Sequence, residues 1–127
     1  MSVYPITDQS NLTRYIFSRR QIKSNNVIHL AAFLPRDGQT SVCNITDLQD
    51  NDIWDIGTKD VGELRGQLPR GRGDIIAGLV LSINLKPDPD AGLRGRHVNI
   101  KGWPEDKDLI REKAERLASM ATLHLAP

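Results

Sequence analysis

Arg94-Gly-Arg-His-Val-Asn-Ile-Lys-Gly-Trp-Pro-Glu-Asp-Lys107 joins a strand pattern to a helix start, and its reading decides the fold class. From Arg96 to Lys101 the side-chain types alternate. Val98 and Ile100 fall on one face while His97, Asn99 and Lys101 fall on the other, the period of a half-buried strand. Gly102-Trp103 ends the pattern. Pro104 suits the first position of a helix, where its missing N–H is not needed, and Glu105, Asp106 and Asp108 put negative charge against the positive end of the helix dipole. Downstream, Ile110, Ala114, Leu117, Ala118 and Ala121 recur at helical spacing, with Lys107, Arg111, Glu112, Glu115 and Arg116 on the other face. The spacing predicts an amphipathic C-terminal helix packing one stripe on a sheet.

The remaining elements follow from the same rules. Residues 13–17 read as a short strand, and residues 27–34 and 40–45 as two strands of a hairpin joined by Pro35-Arg36-Asp37-Gly38, whose Asp-Gly supplies the positive φ of a tight turn. Ile53, Trp54, Gly57 and Val61 mark one buried stripe on an otherwise acidic helix over residues 50–61, with Thr46 and Gln49 or Asp50 able to cap it. Residues 64–73 hold Gly66, Pro69, Gly71 and Gly73 with Arg65, Arg70 and Arg72, and read as an Arg-Gly loop. Asp74 is expected to cap a helix over residues 74–83, carrying Ile75, Ile76, Leu79, Val80 and Ile83, with a short strand after it. The apolar density of residues 79–85 fits a buried strand as well, because periodicity does not separate short apolar runs. Residues 87–92 form a polar turn, and residues 1–11 have no period and are expected to be loose. The order is strand, hairpin, helix, Arg-Gly loop, helix, strand, helix. Strands and helices do not alternate strictly, so the fold class is α+β: a small, mostly antiparallel sheet packed by two or three helices, including the C-terminal one, in a single layer on one face.

At 127 residues the chain reads as one globular domain, long enough to bury a core without metal or disulfide. A single cysteine, Cys43, and the lack of a long apolar run or a signal-like N-terminus suit a soluble cytoplasmic protein with no membrane association. Net charge is only +1, so bulk attraction to nucleic acid is not indicated. The charge is unevenly spread. Residues 47–63 carry Asp47, Asp50, Asp52, Asp55, Asp60 and Glu63 against Lys59 alone, and basic residues dominate on both sides. One consequence is that acidic and basic elements of the same fold attract each other.

Two classes of function fit these residues. In the first, the protein is a small binding or accessory module that engages a nucleic acid or protein partner through the Arg-Gly loop and the acidic helix, or through the N-terminal arginines Arg14, Arg19 and Arg20. Glycine lets backbone N–H groups approach a phosphate and arginine offers a bidentate fork, although the spacing matches no phosphate-loop or dinucleotide motif. The bland alternative is a solvated loop, or one paired to the acidic helix. In the second, the protein is a small phosphoester-acting enzyme, a nuclease or phosphoesterase. There His97 and His29 act as acid and base across the sheet, Arg65, Arg70, Arg72, Arg94 and Arg96 hold phosphate, and Asn99 lies beside His97. Neither His29-Leu-Ala nor His97-Val-Asn carries the following Ser or Thr of two-histidine phosphoesterases, and a histidine bonded to a neighbour in a partly buried setting is the commoner case. His29, His97, His124 and Cys43 lack a local metal-ligand spacing, so neither a metal nor another cofactor is expected. Cys43 reads as core. Trp54 and Trp103 read as packing anchors, since aromatics make up only 5% of the chain and a base-stacking platform needs more.

Overall fold

The computed structural model describes residues 3–127, and its centre is a six-stranded, wholly antiparallel sheet in the order β4-β5-β2-β1-β3-β6. The strands are β1 (Asn11–Ile16), β2 (Thr40–Asn44), β3 (Gly71–Ile76), β4 (Lys86–Pro89), β5 (His97–Lys101) and β6 (Thr122–Leu125). The helical elements are α1 (Asp50–Asp55), a π-helix (Ile56–Gly62), α2 (Glu63–Arg65), α3 (Ala77–Ser82), the short turn α4 (Gly92–Gly95) and α5 (Lys107–Met120). This is the α+β fold expected from the order of strands and helices, and the helices sit mainly on one side of the sheet.

Register decides which residues each face carries, since residues directly opposite in an antiparallel pair point the same way. Leu12 pairs with Ile75 and Val42 with Val98, and this face holds the larger core of Leu12, Ile16, Phe33, Val42, Ile75, Val98 and Ile100 under Ala114, Leu117 and Ala118 of α5. Burying a side chain of this size contributes about 1.5–3 kcal/mol. The other parity carries Tyr15 and Cys43. These pack with Phe17, Ile45, Ile53 and Ile56 in a second, smaller core, so the acidic helical segment covers part of the opposite face.

Several expected elements are placed differently. The C-terminal helix begins at Lys107, not Pro104, because the Asp106 carboxylate accepts from the N–H groups of Asp108 and Leu109 at 2.8 and 3.1 Å and so caps the first turn. Residues 27–34 form no strand. Ile28 makes one bridge to Ile22, and Leu30–Ala32 is a 3-10 turn capped by His29, so the apolar run serves to bury Ile28, Ala32 and Phe33. Arg36 and Gln39 close the expected turn over Asp37 and Gly38, both at positive φ, but the hairpin reduces to that single bridge. Residues 74–76 belong to β3, which pairs with β1 over six positions, and the helix starts only at Ala77. Gly71 and Gly73 therefore sit in a strand and not in a loop. A Cβ on Gly73 would meet the Ile28 Cδ1 at 2.7 Å, so glycine here serves packing. β6 had no counterpart among the expected strands.

Of the N-terminal residues expected to be loose, Met1 and Ser2 lie outside the described residues. The Tyr4 N–H donates to the Gly95 carbonyl at 2.8 Å and Asn44 donates to the Pro5 carbonyl at 3.3 Å. No helix among the described residues is long and apolar enough to cross a membrane.

Candidate functional site

The second face carries a mostly apolar concavity. Between the π-helix, α4 and the β1-β2-β5 region lies a cleft of about 410 Å³ whose apolar walls come from Tyr15, Phe17, Cys43, Val61 and Leu93. Polar groups at its edge are Arg14, Ser41, Asp60, Arg65 and His97. Three local features build it. The ladder between β1 and β2 covers only Leu12 with Asn44 and Thr13 with Cys43, and beyond it the Arg14 guanidinium donates to the Ser41 and Ala32 carbonyls, each at 2.9 Å. The helical segment widens to π geometry at Ile56, just after the Ile53 carbonyl accepts from the buried Tyr15 hydroxyl, and π turns recur at functional sites. In α4, Leu93 and Arg94 both take left-handed backbone, at φ 51 and 61, a conformation that costs non-glycine residues about 1 kcal/mol or more each.

His97 lines this cleft, and its Nδ1 lies 2.8 Å from both Asp90 carboxylate oxygens. The Asp90 carboxylate accepts only, so the hydrogen-bond network assigns a proton to His97 Nδ1. Asn99 and the Gly92 N–H also donate to Asp90 at 2.8 Å. Burial acts to raise the Asp90 pKa, but the donors Gly92, His97 and Asn99 outweigh it and hold the carboxyl below its usual range. Cys43 is the residue directly across from His97 on β2. Its thiol is fully buried, and desolvation pushes its pKa up to about 12, so it packs as an apolar group.

The other residues singled out from sequence fall into two groups. His29 lies in the loop on the larger core's side, its Nδ1 accepting from the Ala31 N–H at 3.0 Å, and no contact brings it to His97. Arg72 is 3% exposed, bonded to Asp74 and Asp50 with its guanidinium 4.9 Å over the Trp54 ring. Arg94 bridges Asp60 and Asp55 at 2.9 and 3.1 Å, and these carboxylates raise its pKa. Arg96 donates to the Asn44 and Thr46 carbonyls and stacks 4.0 Å over Tyr4. These three arginines are engaged within the fold, so acidic and basic stretches do meet each other. Arg70 is exposed beside Phe17 and Leu68. Arg65 alone of the expected set joins His97 at the cleft, its guanidinium 4.8 Å over the Phe17 ring.

Arg14 belongs to the N-terminal arginines but not to the expected phosphate-holding set, and its alternation with Leu12 and Ile16 hides it among core positions. Among the described residues no group of three or more His, Cys, Asp or Glu side chains stands close enough to hold a metal. No known protein family, no curated protein and no solved structure matches the chain.

Proposed function

We propose that the protein is a non-enzymatic binding module that receives an apolar group of its partner in the cleft between the π-helix and the sheet. The observation that carries this reading is the cleft itself: its walls are mostly apolar and a few polar groups converge on its edge, the usual make-up of a ligand site. The reading moves the point of engagement away from Arg72 of the Arg-Gly stretch and from the outer face of the acidic helix, because Arg72, Arg94, Asp55 and Asp60 already neutralise one another or their neighbours. Fluorescence of the neutral dye Nile red tests it. Enhancement with the native protein that is lost when Val61→Trp fills the cleft is the expected result. Equal enhancement in both, with the variant folded, places dye binding elsewhere and contradicts the reading.

The Asp90–His97 hydrogen bond favours a second reading, in which a phosphoester bound at the cleft meets His97 Nε2 as general base. Hydrolysis of bis(p-nitrophenyl) phosphate that disappears in His97→Ala while the fold persists supports it. Turnover equal in the variant removes His97 from the chemistry.

A further inference from the structure

Around Arg14 a second recess of about 420 Å³ adjoins the apolar cleft, and the two share Arg14, Ser41 and Arg65. The second recess is of opposite character. It is lined by Arg14, Arg36 and Arg65 together with Gln21, Gln39 and Thr40. Three guanidinium groups therefore face one space, and among the described residues none of them makes an ion pair with a carboxylate. Asp37 lies on the same rim but pairs with none of the three, and Asp60, on the cleft side, is held by Arg94. Arg72 and Arg94, by contrast, are paired to carboxylates within the chain.

Arg14 is fixed in place. Its Nε and one Nη donate to the Ala32 and Ser41 carbonyls, which leaves the other Nη free to donate into the recess. Burial, and after it the charges of Arg65 and Arg36, push its pKa down to about 10. Like charges gathered without a counter-charge oppose one another, and an anion in the recess relieves that repulsion. Arginine's planar fork suits the oxygens of a carboxylate or phosphate.

We infer that Arg14, Arg36 and Arg65 form an anion receptor adjoining the apolar cleft, so that the ligand is a small molecule carrying a carboxylate or phosphate head on an apolar body. The inference rests on the cleft being the binding site and adds the chemistry of the head group. An extended nucleic acid strand fits less well, because the basic groups surround one recess and the adjoining walls are apolar, with Phe17 already covered by Arg65.

Titration calorimetry with octanoate, octyl phosphate, octanol and inorganic phosphate tests it. The expected result is that octanoate or octyl phosphate binds at least tenfold more tightly than octanol, with the better of the two identifying the head group, and that this advantage shrinks as salt is raised. In Arg36→Ala/Arg65→Ala, which leaves the anchored Arg14 in place, the charged ligands should fall to the affinity of octanol. Equal binding of octanol and the charged ligands by the native protein, unchanged in the double variant, overturns the anion receptor while leaving the apolar cleft standing. If neither octanol nor the charged ligands bind, or if Val61→Trp leaves their binding unchanged, the cleft reading falls and the inference with it. Oligothymidine that displaces octyl phosphate and binds more tightly than it would also overturn the inference, by assigning the arginines to nucleic acid.

Discussion

Arg72 shows how a single residue changes role between sequence and structure. Within Arg70-Gly-Arg-Gly-Asp74 it reads as a loop arginine offered to phosphate, yet it lies in β3 with its side chain 4% exposed, paired to Asp74 and capped by Trp54. Removing one partner of a buried pair leaves the other charge uncompensated, so Arg72→Ala is expected to destabilise the fold by about 3–5 kcal/mol, measured by urea unfolding. A loss under about 1 kcal/mol, as for an exposed pair, would contradict the burial argument. Cys43 carries a second expectation at this scale. A thiol fully buried in the smaller core with Tyr15 and raised to about 12 should react with iodoacetamide at pH 8 only after denaturation. Fast labelling of the native protein would show the cleft opening to its base.

At the scale of elements, the acidic helix owes its position to Gly57. A Cβ there would fall 2.5 Å from the Tyr15 ring, so only glycine lets the π-helix close on β1. Gly57→Ala is expected to cost about 1–3 kcal/mol and to weaken binding at the cleft, with Tyr15 forced from its place. Stability and affinity both unchanged would mean that this approach is not needed. The stripe Ile53, Trp54, Gly57 and Val61 already announced a buried helix face, and the alternation from Arg96 to Lys101 announced β5. What sequence could not announce was pairing. The choice of strand for residues 71–76 comes from a six-position ladder with β1 and a four-position ladder with β6, contacts that no local pattern encodes. The same holds for residues 27–34, where apolar composition recorded burial correctly and strand pairing incorrectly.

The whole molecule joins its acidic and basic stretches through side-chain pairs, and its response to acid should show it. Hydrogen bonds from Lys59 and then Arg94 hold Asp55 below the usual carboxylate range, and Lys101 does the same for Asp88. A carboxyl depressed in the folded state stabilises the fold above its unfolded value of about 4, and that stability is lost as pH falls through the lower folded value. The urea midpoint is therefore expected to stay level from pH 7 to about 5 and to fall below about pH 4, less steeply in Arg94→Ala. A midpoint that instead rises on acidification would contradict the pairing.

The candidate site was only partly legible for the same reason as the fold. His97 and Arg65 stood out as residues, but the groove between them depends on where β1 and β2 part at Arg14, and that is a property of the assembled sheet. The central claim is that binding happens at this groove. Backbone amide shifts followed by nuclear magnetic resonance during titration with octyl phosphate test it most directly. Changes concentrated at Arg14, Phe17, Val61, Leu93 and His97 are the expected result. Changes centred on His29 or Arg70, with those five residues silent, would contradict it.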